Sequence, residues 1–380
     1  MRTQLLVALL ILGMIAVPSL PSAHAASGTY FDNIVVVAME NQHYADVMGT
    51  GTGSSNAPFI ASMLTAGATI PLYHGYGAAG RSISGCSAGC YTALISGSDQ
   101  GISDSYSCCI NAPTLMDSMA SAGMTWQAYC ESGCPRGNDH FPFTGFTSTH
   151  LSPNIFTGSA VSTSDFVNAA NAQTPANFLW YTPTDCNNMH DSSASCGTTN
   201  PVAHGDAYLK TFFVGTGTIA SPASGSLFAS TTFKPTQRTL LILWWDEYNP
   251  APILFYEPGV VKQAYVSSSD LYDEYSILHL MENNWGLSTL TTNDAAAASM
   301  TEIFGASTPP PPGGSGGSCF LCGSTSMWLL VIGGLLGLIG SLVLLTIRAR
   351  AKLARNRRRM NHQVASQYPC RILRERERIR

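Results

Sequence analysis

The chain has 380 residues, 45% hydrophobic and only 11% charged, with 35 Gly and 21 Pro, a composition that excludes disorder throughout. Its formal net charge of −4 hides two opposite regimes. Twelve of the 19 basic residues follow Ile347 and Arg2 opens the chain, leaving six basic residues against 21 acids, about −15, between the two ends.

In chain order, residues 1–25 carry Arg2, an apolar run from Leu5 to Val17 and the A-x-A pattern Ala23-His24-Ala25. This reads as a secretory signal, with an uncleaved anchor as its alternative. Residues 26–307 are expected to form one large extracytoplasmic domain without internal repeats. Apolar strand-like runs stand at Ile34 to Met39, Phe178 to Tyr181 and Leu240 to Trp245, and helical patterns at Ala57 to Ala66 and Asp270 to Asn283. Continuous apolar strands separated by helices predict an α/β sheet covered on both faces. Residues 98–175, rich in Ser, Gly, Cys and aromatics with little periodicity, are expected to be a disulfide-pinned insertion capping a site.

Residues 308–327 begin with a Pro run and a Gly/Ser stretch, a stalk lifting the domain off a bilayer. Trp328 to Ile347 is 20 residues without a charge, enough to cross a membrane. The basic tail, 348–380, is cytoplasmic by the positive-inside rule, which predicts a single-pass cell-membrane protein with its N-terminal domain outside. Lys and Arg beside a span are topology signals and lipid contacts, so no nucleic-acid partner is expected. Cys319 and Cys322 stand where an inter-chain disulfide or a lipid could attach, or are bystander thiols; with the GxxxG of Gly333 and Gly337 they would support a dimer. Eight further cysteines lie in the outer region, an even number suited to disulfides whose pairing the sequence does not give.

Each apolar run ends in a polar cluster: Glu40-Asn41, Thr182 to Asp191, and Asp246-Glu247. In open α/β sheets ligands bind at that edge. Glu40, Asn41, Asp246 and Glu247 are oxygen donors suited to Mg²⁺, Ca²⁺ or Mn²⁺, with Zn²⁺ less favoured because it recruits His or Cys; solvated acidic surface is the competing explanation. The segment Gly85 to Leu94 puts Ser87 just before an expected helix, whose N-terminus favours an alkoxide and a phosphate. Physics alone does not choose Ser87 over Ser82 or Ser84.

Val35 to Asn41, Ser87 to Gly97, Thr182-Pro183 through Asp191, Gly205 to Leu209, Trp245-Asp246-Glu247 and Glu282 to Leu287, taken together and in order, resemble the phosphoesterase family of acid phosphatases and phospholipases C, within the alkaline-phosphatase superfamily. The resemblance implies an alkaline-phosphatase-like, mostly parallel central sheet flanked by helices and a phosphoric ester hydrolase acting on a phosphate ester. It implies a divalent metal on Glu40, Asn41, Asp246 and Glu247, and Ser87 as nucleophile. His190 would contact phosphate or protonate the leaving group, Asp191 would orient it, and Asn187 belongs to the same substrate-side motif. Arg81, in a stretch longer than the family spacing, could bind phosphate, and His204 and Asp206 would support the site. Gly85, Gly89, Cys90, Asn188 and Glu274 depart from the family pattern, which leaves a decayed, ligand-binding scaffold as the rival to an enzyme.

Overall fold

A computed structural model describes residues 27–305 apart from 79 and 103. The expected signal, stalk, span and tail lie outside the described residues, as do Cys319 and Cys322. No helix among the described residues is long and apolar enough to cross a membrane.

Eight strands form one sheet: β1 (Asn33–Met39), β2 (Ala68–Thr69), β3 (Trp126–Cys130), β4 (Ile155–Phe156), β5 (Phe178–Thr182), β6 (Thr239–Trp245), β7 (Ile253–Tyr256) and β8 (Tyr265–Val266). Their spatial order is β4-β3-β5-β1-β6-β7-β2-β8, and only β7 runs against its neighbours. The three apolar runs of the sequence become β1, β5 and β6, side by side at the centre. All seven residues of β1 and of β6 are buried, as continuous apolar strands require when helices cover both faces.

The helices are α1 (Tyr44–Met48), α2 (Pro58–Ala66), α3 (Ala88–Ser96), α4 (Leu115–Ser121), α5 (Thr163–Ala170), α6 (Pro201–Val214), α7 (Glu274–Trp285) and α8 (Thr292–Ala296). Strand alternation divides the core. Ile34, Val36 and Ala38 pack with α3, α4 and α7, whereas Val35, Val37 and Met39 pack with α1, α2, α5 and α6. Trp180 and Trp244 lie on the first face, and full burial of a large apolar side chain is worth roughly 1.5–3 kcal/mol.

The stretch 98–175 is not an appendage to this sheet. It supplies β3 and β4, which extend the parallel pairing beyond β5, together with α4 and α5. Short strands broken by 3₁₀ turns give little periodicity, which is why the stretch reads as a loop in the sequence. The eight outer cysteines pair locally as Cys86–Cys90, Cys108–Cys109, Cys130–Cys134 and Cys186–Cys196.

Candidate active site

Parallel pairing of β1 with β6 sets Met39 opposite Trp245, so the residues that follow, Glu40 and Asp246, leave the sheet side by side. The Asn41 backbone N–H donates to Asp246 Oδ1 at 3.3 Å and the Asp246 N–H to the Met39 carbonyl at 3.4 Å. Glu40 and Asp246 are both fully buried. The Tyr91 hydroxyl donates to Glu40 Oε1, and His140 Nδ1 lies 3.3 Å from the same oxygen without hydrogen-bond geometry.

Ser87 is the residue at which the chain enters α3, and its hydroxyl makes no capping hydrogen bond. Its turn is tied to the carboxylates from two sides. Cys86 Sγ accepts the Glu247 N–H at 3.2 Å, and Tyr91, one turn into α3, reaches Glu40. Gly75 completes the packing, since a Cβ there would stand 2.7 Å from the Glu247 carbonyl oxygen. Asn41 (φ 43°), Ser87 (φ 105°), Met189 (φ 78°) and Glu247 (φ 51°) are four of the non-glycine residues with positive φ, so left-handed backbone collects where the motifs meet. Such conformations each cost on the order of 1–3 kcal/mol and concentrate at functional sites.

Glu40 Oε2, Asp246 Oδ2 and Asn41 Oδ1 are buried without hydrogen-bond partners. Burial, and then the Asp246 charge, push Glu40 well above the ordinary carboxylate range; burial, and then the Glu247 charge, raise Asp246. Burial and Asp104 raise Glu247. Three unpartnered hard oxygens among mutually repelling carboxyls fit a divalent cation, which would neutralise the charge and take up the lone pairs.

A carboxyl with a raised folded-state pKa contributes stability that is present below its unfolded value, about 4, and lost as pH rises through the folded value. In the metal-free chain Tm is therefore expected to fall from about pH 5 to about pH 8, and a saturating divalent cation should flatten that slope. A cation that leaves the slope unchanged would exclude binding at Glu40 and Asp246.

The loop after β5 adds a second group. Arg136 Nε lies 3.2 Å from Asp185 Oδ2, and an Arg136 terminal nitrogen 2.7 Å from His190 Nε2. His190 Nδ1 is 2.7 Å from Asp191 Oδ1, and His140 Nδ1 is 3.6 Å from Asp185 Oδ1. Ligand atoms of Glu40, His140 and His190 lie within 4.8 Å of one another, as do those of Asp185, His190 and Asp191. Burial lowers the His140 pKa; burial opposes ionisation of Asp185, but His140 and Arg136 outweigh it and lower that pKa.

The structure thus brings Glu40, Asn41, Asp246 and Glu247 together and sets the Ser87 turn against them. His190 lies beside them in a different state from the one expected of a proton donor. Arginine offers only donors, so Nε2 must accept, and the ring hydrogen then sits on Nδ1 and is donated to Asp191. Neither nitrogen is left for a substrate. The Asn187 side-chain amide donates to Glu131 Oε2 at 2.9 Å, beside the Thr184 N–H on the same oxygen, and holds the base of the loop.

Arg81 is a correction. Its Nε donates to Asp273 Oδ2 at 2.9 Å and its other nitrogens to the Leu271 and Ala296 carbonyls, so the guanidinium is spent on fully buried Asp273 instead of phosphate. Arg81→Ala is expected to cost about 3 kcal/mol, by stranding a buried carboxylate, with KM unchanged. A melt and a KM measurement check this; a raised KM without a lower Tm would return Arg81 to the substrate. Asp206 is likewise structural, accepting the Phe59 and Ile60 N–H groups at the start of α2. Glu274, a departure from the family pattern, is wholly buried near Cys86 and Cys90, and burial and Asp273 push its pKa well up.

Tyr91, His140, Arg136 and Asp185 were not singled out from sequence. Asp185 lay inside the polar cluster after β5, and Tyr91 inside the Ser87 motif, so both were within reach. His140 and Arg136 sit in the aperiodic stretch, where nothing local marks them.

No family model matches the chain, and no curated protein matches it. Among solved structures it is similar to a protein in the alkaline phosphatase superfamily from Vibrio parahaemolyticus, at 14% identity over 78% of this chain and 79% of that one, with a TM-score of 0.45. It is also similar to a phosphonate monoester hydrolase from Silicibacter pomeroyi, at 12% identity over 73% and 77%, TM-score 0.43. Murine ectonucleotide pyrophosphatase/phosphodiesterase 5 matches at 9% identity over 71% and 100%, TM-score 0.43. Likeness at this level does not extend to function.

Proposed function

We propose that this chain is a membrane-anchored, extracytoplasmic phosphoric ester hydrolase of the acid phosphatase and phospholipase C type. The observation that carries the reading is the meeting of Glu40, Asn41 and Asp246, with three unpartnered buried oxygens, at one sheet edge beside the turn that presents Ser87. The motif order, resembling the phosphoesterase family, supplies the reaction class.

Ser87 Oγ forms the new bond to phosphorus, the ester alcohol leaves, and water opens the phosphoserine to release phosphate and restore the hydroxyl. A divalent cation on Glu40, Asn41, Asp246 and Glu247 would supply Lewis-acid chemistry beside that hydroxyl. Tyr91 holds Glu40, and the fixed left-handed backbone at Ser87, Asn41 and Glu247 holds the geometry in advance of the substrate. The apolar segment 328–347 would anchor the domain, with its basic tail inside and with Cys319, Cys322 or the span available for pairing two chains.

A second reading, a phospholipase C acting on lipid headgroups, is favoured by Leu72 and Tyr76, which stay exposed on the segment that packs against Glu247 and Tyr248. Hydrolysis of a soluble aryl phosphate and release from phosphatidylcholine vesicles, each with and without Mg²⁺, Mn²⁺ or Ca²⁺, separates the two. Ligand binding without turnover on either substrate would instead make the chain a binding protein on this scaffold.

A further inference from the structure

We propose that Arg136, and not His190, is the side chain that grips the phosphoryl group, with Asp185, His190 and Asp191 as the frame that aims it; this rests on the phosphoester reading above. One edge of the guanidinium is held by Asp185 through Nε at 3.2 Å, and one terminal nitrogen by His190 at 2.7 Å. The other terminal nitrogen, Nη1, makes no hydrogen bond among the described residues, and the side chain is 41% exposed. Asp191 in turn fixes the His190 ring.

The frame stands over the centre. A His190 ring nitrogen falls within 4.8 Å of a Glu40 carboxylate oxygen, and the Arg136 charge acts on Glu247. A guanidinium restrained on two sides has already lost most of its rotamer freedom, and its planar fork matches two phosphoryl oxygens. The Arg136 backbone directly follows Pro135 and the Cys130–Cys134 disulfide.

The same frame accounts for a set of residues that would otherwise suggest a second metal. Asp185, His190 and Asp191 bring ligand atoms within 4.8 Å, but Arg136 already forms an ion pair with Asp185 and a hydrogen bond with His190. A metal there would have to displace it. The centre then combines one inorganic cation with one fixed organic cation.

The test uses the full-length chain with saturating Mg²⁺ and measures two quantities. Binding of inorganic phosphate by calorimetry requires no turnover; kcat/KM is compared for p-nitrophenyl phosphate and an alkyl phosphate with a poor leaving group. Arg136→Ala is expected to weaken phosphate binding and lower kcat/KM by roughly 10- to 100-fold, equally for both esters, as for loss of a hydrogen bond to a charged group. Arg136→Lys should recover only part of this, because a point charge lacks the fork. His190→Gln should show a smaller loss, again equal for both esters.

Unchanged phosphate affinity in Arg136→Ala would overturn the proposal, as would a His190→Gln loss confined to the alkyl ester, the mark of a missing proton donor. Should Arg136→Ala fail to fold, Arg136→Lys and Arg136→Gln decide by the same phosphate titration. Phosphate binding that depends on Arg136 in a chain with no turnover keeps the proposal and removes the hydrolase reading. Turnover that needs Ser87 but not Arg136 does the reverse.

Discussion

Replacing Ser87 by alanine is expected to lower kcat/KM for a phosphate ester by on the order of 10⁴-fold or more, the scale seen when a nucleophile is removed. The substitution removes one oxygen. Because that hydroxyl makes no capping hydrogen bond, the helix start loses nothing, and because alanine keeps the Cβ already accommodated at φ 105°, the backbone requirement is the same. Tm should therefore stay within about 2 °C, less than the shift from losing a working N-cap. Activity and a thermal melt on the same preparation make the comparison. Retained turnover would take Ser87 out of the reaction, and lost turnover with a collapsed melt would assign it a structural role.

Asp246→Asn should divide activity from stability in the opposite way. Asn keeps the shape and can still accept the Asn41 N–H, but it withdraws a charge from a buried cluster shared with Glu40 and Glu247. Without metal, that charge is opposed by burial and by its neighbours, so the metal-free variant should melt at or above the wild type at about pH 8. With metal the order reverses: the wild type gains Tm as cation binds only the folded state, while the variant gains little and loses at least about 10²-fold in activity that excess cation does not restore. A variant that is destabilised without metal and fully active in excess chelator would refute the cation site. Sites that hold like charges together for function are expected to stabilise when one is removed.

Much of the centre was legible because its two halves are each short and contiguous. Glu40-Asn41 and Asp246-Glu247 each follow a run of apolar residues that can only be an inner strand, and the end of an inner strand is a fixed place in an α/β fold. Their partnership follows from the shared donor chemistry and the family resemblance, while the pairing that realises it is not legible. It depends on the β1–β6 register, which joins residues more than 200 positions apart and has no local signature. Arg81 shows the reverse error: a lone arginine in a Gly-rich stretch looked free, because Asp273, which neutralises it, is distant in sequence and adjacent only after α7 packs. His190 stands beside Glu40, and its hydrogen-bonding state is fixed by Arg136 from another segment.

The sequence alone determined the two charge regimes, the central strands, the helices that follow Ala57 and Asp270, and the oxygen-rich character of the edge where chemistry is expected. Those properties follow from periodicity and from the physical identity of neighbouring residues, which a linear chain states directly. Only the tertiary structure decided that 98–175 completes the sheet, that Arg81 locks Asp273, and that Arg136 and His140 reach Asp185 and the carboxylates. A charged side chain is defined by which opposite charge it meets once water is excluded, and that meeting exists only in the folded chain.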